Sequence, residues 1–205
     1  LVIVPPDYSL YMQCSTAFND LLYEYSPLLE RYSIDESFLD ITEALRNRKP
    51  LDMAREISNR IKTVLGFTVN IGISSNKLLA KMASDFEKPD KVHTLFPYEI
   101  QKKLWVLPVR DLFMVGRRTA PKLYRLNIFS IGQLAHANPQ FLRAHFKSFG
   151  NLLWQYANGI DTSPVNPYSP PAKGIGNSTT TPFNVDNERE ALLFLLSLVE
   201  TASSR

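Results

Sequence analysis

The sequence predicts an α+β fold, a mixed sheet with helices on one face followed by an all-helical unit, and three observations carry that reading. Residues 8–25 place Leu10, Tyr11, Cys14, Phe18, Leu21, Leu22 and Tyr25 at helical spacing, whereas Phe67, Val69, Ile71 and Ile73 alternate with Thr68, Asn70 and Gly72 as in a half-buried strand. Beyond Pro97 the chain turns to short apolar segments broken by Gly, Pro and Asn as far as Gly159. With 205 residues and 44% hydrophobic composition it can bury a sizeable core.

The elements follow in order. The opening LVIVPP reads as a buried strand with no Met or cap before it, more like the middle of a domain than its beginning. After the first helix, Tyr32–Thr42 breaks the helical period and reads as strand. A helix over Leu51–Leu65 puts Ala54, Ile57, Ile61 and Val64 on one side, and Gly66 ends it. Ser74, Ser75 and Asn76 are cap residues for a helix over Lys77–Phe86, which Pro89 prevents from continuing. Val92–Phe96 is the last strand of this part. Residues 161–173, DTSPVNPYSPPAK, hold four prolines and read as an extended tether. A Thr-rich strand candidate after Gly174 and a helix from Glu188 are too little for a domain, so both ends look truncated.

Charge is distributed unevenly. Residues 101–173 carry ten basic and two acidic side chains, while residues 1–50 carry four basic and eight acidic ones. A basic helical unit beside an acidic one suits polyanion binding next to a catalytic or metal module, with a solvated basic face as the plain alternative. No apolar run is long enough to span a bilayer or act as a signal peptide, and no membrane partner is expected. The single cysteine, Cys14, excludes an internal disulfide, fits a reducing cytoplasm, and lies on the apolar helix face as a core residue. Walker-type and dinucleotide-binding glycine loops are absent; His93, His136 and His145 have no metal-ligand spacing, and Trp105 and Trp154 read as packing residues.

Three constellations carry chemistry. In YSIDESFLD, Asp35 and Glu36 are adjacent, and neighbouring strand side chains converge only where the strand turns or bulges. Such a pair suits a hard divalent cation, or is simply a polar hairpin tip. On the next helix and its tail, Lys77, Lys81 and Lys88 fall within roughly 40° of one line, opposite Leu78, Leu79, Met82 and Phe86. That stripe could hold a polyphosphate or face solvent. In LPVRDLFMVGRRTAPKL, the turn at Val115–Gly116 opens a helix among Arg117, Arg118, Thr119 and Lys122, which makes either a sequence-independent phosphate seat or an ordinary helix–helix turn.

Together, and in this order, SIDE with SFLDIT, GISSNKLLAKMASDFEKPD, the glycine turn and the Pro-rich tether resemble a Y-family DNA polymerase, of the kind that copies past damaged bases and closer to the bacterial damage-inducible and UV-repair members. The resemblance implies the C-terminal portion of a polymerase palm over 1–98, a thumb with a helix-hairpin-helix over 99–160, a linker over 161–173 and the beginning of a little finger over 174–205. It makes Asp35 and Glu36 the second and third of three metal-binding carboxylates, which hold two Mg²⁺ ions. Lys88 and Lys81 become triphosphate contacts, and Val115, Gly116, Arg117, Arg118, Thr119 and Lys122 grip the DNA backbone.

Asp40 matches no metal ligand and reads as structural. The first aspartate and the fingers belong upstream of this stretch, so the expectation is a translesion polymerase acting on primer-template DNA and deoxynucleoside triphosphates in the SOS response to DNA damage, with this fragment alone inactive. The sliding clamp is a further partner, through a segment this chain does not hold, and the location is the bacterial cytoplasm. The alternative is a non-catalytic polymerase-like scaffold in the damage response. Two positions depart from the pattern. Met114 stands where the turn usually has its first glycine, leaving Gly116 to carry the turn, and Lys91 stands where a glycine follows Lys88-Pro89 and one further residue, adding a phosphate contact or merely tolerating the turn.

Overall fold

A computed structural model describes residues 1–168 and 173–204. Contacts divide the described chain into a unit over Leu1–Pro167 and another over Tyr168–Arg205.

In the first unit, helix α1 (Tyr8–Tyr23) starts at Asp7, whose side chain accepts from Leu10 N. Strands β1 (Leu29–Arg31) and β2 (Ser37–Leu39) form an antiparallel hairpin with Leu29 opposite Leu39. The short α2 (Thr42–Leu45) leads to α3 (Pro50–Leu65), which has Pro at its start and Gly66 in the left-handed conformation at its end. Strand β3 (Ile71–Ile73) pairs in parallel with β4 (Val92–Thr94), and the crossover between them is α4 (Lys77–Ser84), capped by Asn76 accepting from Leu79 N. Antiparallel and parallel pairings therefore both occur, as two separate two-stranded sheets.

The helical part is α5 (Ile100–Lys103), α6 (Ala120–Arg125), α7 (Ile131–His136), α8 (Pro139–Phe146) and α9 (Ser148–Ala157). Two cores result. One joins Leu21, Leu22 and Leu29 to Met53, Ile57 and Ile61; Phe67, Val69 and Ile71 pack on it from the β3 side. The other begins on α4 with Leu78, Leu79, Met82 and Ala83 and runs through Leu104, Leu123, Leu134, Leu142 and Leu153. Helix α4 is thus the shared wall between sheet and helical bundle. It approaches β3 so closely that a Cβ on Gly72 would lie 1.8 Å from Ala80 O.

Several expectations are corrected. Leu1–Val4 is exposed and forms no strand; Pro5 and Pro6 remove two backbone donors, and no strand among the described residues pairs with it. Tyr32–Thr42 is not one strand, because residues 33–35 form the bend between β1 and β2. Val64 is 65% exposed, Leu65 packing on the core instead. Cys14 is exposed, since the first half of α1 has nothing over its apolar face among the described residues.

The second unit holds α10 (Glu188–Ser203), capped by Asn187 accepting from Glu190 N. No strand forms among its described residues, so the Thr-rich stretch has no edge to pair with there. Of the expected tether, residues 169–172 lie outside the described residues, while residues 161–167 belong to the first unit.

Candidate active site

The carboxylate pair sits at the hairpin tip. Tyr32 N and Ser33 N both donate to Glu36 O, at 2.9 and 3.0 Å, and this double closure bends the chain where a straight strand would send Asp35 and Glu36 to opposite faces. Asp35 is exposed, and its Oδ1 accepts from Ser33 Oγ at 2.8 Å. Both acids line a cleft of about 1100 Å³ whose other walls come from β3 and α4.

The lysine row of α4 faces this hairpin rather than open solvent. Lys77 Nζ lies 2.8 Å from Glu30 Oε2, and Lys81 Nζ lies 2.7 Å from Glu36 Oε1 and 3.0 Å from Asp85 Oδ2. Lys88 continues the line, 2.7 Å from Asp85 Oδ1. Burial works against the charge on Lys81, but the hydrogen bonds it donates to Glu36 and Asp85 outweigh it and raise the ammonium pKa above the ordinary lysine value. Burial likewise opposes the Asp85 charge, yet Lys88 and Lys81 hold its carboxyl below the usual range. Lys81 is therefore engaged with two acids, whereas Lys88, with 56% of its side chain exposed, is the more accessible of the two candidate phosphate contacts. Lys91 Nζ pairs with Glu87, and its carbonyl accepts from Ile71 N where the parallel strands begin.

The glycine turn lies between a short 3-10 turn at Val109–Asp111 and α6. Met114, not Gly116, takes the left-handed backbone, with φ of 71°. This corrects the expectation that Gly116 alone carries the turn. Gly116 has open space where a Cβ would be, and its carbonyl accepts from Thr119 N and Ala120 N. The amides of Gly116, Arg117 and Arg118 have no acceptor among the described residues. Arg117, Arg118 and Lys122 are exposed and Thr119 half-buried around them, while the Val115 side chain is buried in the core and offers only its backbone.

Asp40 is structural: its Oδ1 accepts from Thr42 N and Thr42 Oγ1, and its carbonyl accepts from Ser26 Oγ. Trp105 packs against the helical core and donates to Ala157 O, and Trp154 packs against the same core. Sequence reading missed Asp85, although its spacing to Lys81 and Lys88 is that of helical ion-pair partners. It also missed Glu30, which receives both Lys77 and the amide of Asn166, and Asp161, which accepts from Leu78 N at the start of α4. Those two pairings join distant parts of the chain and leave no local spacing signal.

Residues 1–85 match the impB/mucB/samB family. The whole chain is 44% identical over 205 residues to the DNA polymerase IV of Clostridium acetobutylicum, covering 52% of that protein. A solved structure described as a Y-family DNA polymerase chimera, Dbh-Dpo4(243-245)-Dbh, superposes with a TM-score of 0.88 over 98% of this chain and 59% of its own, at 26% identity. Another, an insertion ternary complex of Dbh DNA polymerase, has a TM-score of 0.72 over 99% and 59%, also at 26% identity. These similarities cover the two-acid hairpin, the lysine-bearing helix across the cleft and the basic helical bundle joined to them through that helix. The chain is thus similar over its whole length to DNA polymerase IV proteins and, at 26% identity, to solved Y-family DNA polymerases. It spans about half the length of the curated relatives it matches.

Proposed function

We propose that the full-length protein to which this chain belongs is a template-directed DNA polymerase that performs translesion synthesis, in a bacterial cytoplasm, as part of DNA damage tolerance. The observation that carries this reading is the Asp35–Glu36 tip, Asp35 exposed and Glu36 half-buried, facing the α4 lysines across the cleft. The donors suit Mg²⁺, since both are hard carboxylate oxygens and Glu36 already neutralises a cation, the Lys81 ammonium. Among the described residues no group of three or more acids, histidines or cysteines could hold a metal, so Asp35 and Glu36 supply part of a set that needs a further acid. For that reason the 205 residues alone are expected to be inactive.

In this reading Asp35 and Glu36 would hold Mg²⁺, which when bound lowers the cost of charge on the attacking and leaving oxygens of an in-line displacement at phosphorus. The protein's own groups then position and neutralise. Lys88 contacts the triphosphate of the incoming deoxynucleotide, and Lys81 keeps Glu36 aimed at the cleft while adding positive charge to the same wall. The free amides at Gly116–Arg118, with Arg117, Arg118, Thr119 and Lys122, hold backbone phosphates of the primer-template duplex without reading sequence.

Asp35→Ala in the full-length protein tests this directly. Primer extension should disappear while duplex affinity stays within about twofold, because the removed carboxylate lies on the hairpin and the phosphate seat on the turn before α6. Loss of both together with loss of folding would make Asp35 a structural residue instead.

A further inference from the structure

The hairpin tip is held from a second side, by the turn that precedes α6. Tyr32, the residue that closes the tip through its amide to Glu36 O, stacks edge-on against Phe38 of β2, with ring centroids 5.4 Å apart. Its other neighbour is Phe113, at 6.4 Å. Phe113 sits one residue before the left-handed Met114 and is itself held firmly: its amide contacts Met82 Sδ on α4 at 3.3 Å, and its ring lies 6.1 Å from Tyr156 of α9. Tyr32 is 48% exposed, so its ring is kept in place by these two aromatic contacts rather than by a surrounding core.

We infer that Phe113 is a positioning residue for the carboxylate tip, and that the Tyr32–Phe113 contact couples what binds at Gly116–Arg118 to what binds at Asp35 and Glu36. The same short turn carries Phe113 at its start and the free amides at its end, joined by the bonds from Val115 N to Leu112 O and from Thr119 N to Gly116 O. A phosphate that tightens the amide end therefore restrains Phe113, and through Tyr32 the residue whose amide shapes the acid-bearing turn. Coupling of this kind is reciprocal, so metal at the tip must strengthen duplex binding by the same factor. The inference rests on the polymerase reading above and adds a path by which the duplex organises the metal-binding tip.

The test titrates Mn²⁺ into the full-length protein, followed by the paramagnetic signal of the free ion, with and without a blunt duplex ending in 3′-dideoxy residues. Subtracting the Mn²⁺ bound by duplex alone, the duplex should tighten binding by about threefold, within the range that one aromatic contact supports. Phe113→Leu, Tyr32→Leu and the double variant should each lose that enhancement to the same extent, and Phe113→Trp should keep it. Tyr32→Leu lies on an exposed hairpin, so its result stands even if variants of Phe113 unfold. Equal enhancement in wild type and Tyr32→Leu, or losses that add in the double variant, would overturn the inference while leaving the polymerase reading intact. Absence of any Mn²⁺ binding sensitive to Asp35→Ala would instead overturn that reading.

Discussion

Lys81 on α4 reaches across to Glu36 on the β hairpin, 2.7 Å from Nζ to Oε1, and with its other side holds Asp85 at 3.0 Å. One ammonium thus joins an acid of the candidate metal site to the helix that walls the cleft, with only 17% of the lysine side chain exposed. Removing it leaves two carboxylates, each well exposed, without their shared partner. Lys81→Met should lower stability by about 1 kcal/mol, and Lys81→Arg should recover most of it. Urea denaturation of the three proteins reads this; a neutral Lys81→Met would mean that the contact is electrostatically idle.

Gly72 is where β3 and α4 meet. A methyl group there would lie 1.8 Å from Ala80 O and 2.5 Å from Ser84 N, both backbone atoms that cannot rotate away. Gly72→Ala should therefore cost about 3 kcal/mol by forcing helix and strand apart. A loss below about 1 kcal/mol in the same denaturation experiment would show that α4 shifts freely.

How much of this was legible beforehand follows from range. Helix α3 with its Gly66 stop and α4 with its Asn76 cap rest on local periodicity and capping, and both stand within two residues of where the sequence puts them. The bend at Asp35 and Glu36 was legible from the adjacent acids, whereas its closure was not, because the two amides that converge on Glu36 O leave no sequence signal. The lysine row was visible as a stripe, but its partners Glu30 and Glu36 lie more than forty residues away, so sequence alone left it between phosphate site and solvated face. Cys14 and Val64 misled because an apolar side chain at helical spacing says which face it occupies, and nothing about whether anything covers that face.

Met114 adopts a backbone that favours glycine. Relief of left-handed strain, about 1–2 kcal/mol, is partly offset by the greater freedom of glycine in the unfolded chain. Met114→Gly should thus stabilise the protein by about 0.5 kcal/mol, with duplex affinity undiminished. Destabilisation of similar size would mean that the half-exposed methionine side chain matters more than its backbone.

Arg117→Ala and Arg118→Ala together should weaken binding to every duplex sequence alike and reduce the slope of log affinity against log salt by about 2, since each phosphate contact releases close to one counterion. A loss confined to particular sequences would contradict a backbone-only seat.

Glu99 supplies a pH test. Burial opposes its charge, but Lys103, the amide of Phe96 and the Thr94 hydroxyl hold its carboxyl below the usual glutamate value. Its folded-state pKa is depressed, so its contribution is fully present above the unfolded value, near 4.3, and is lost as pH falls through the folded one. Glu99→Gln should flatten that acid limb of the stability curve and leave its shape near neutrality unchanged. An acid limb identical to wild type would place the pH dependence elsewhere.

We propose that Asp35 and Glu36 are part of a metal-dependent polymerase centre that needs a further acid. The most direct measurement is Mg²⁺-dependent primer extension on undamaged and lesion-containing templates, by the full-length protein and by residues 1–205 side by side. The account predicts extension past the lesion by the full-length protein and none by residues 1–205. Extension by the isolated 205 residues, or none by either protein while duplex binding persists, would contradict it.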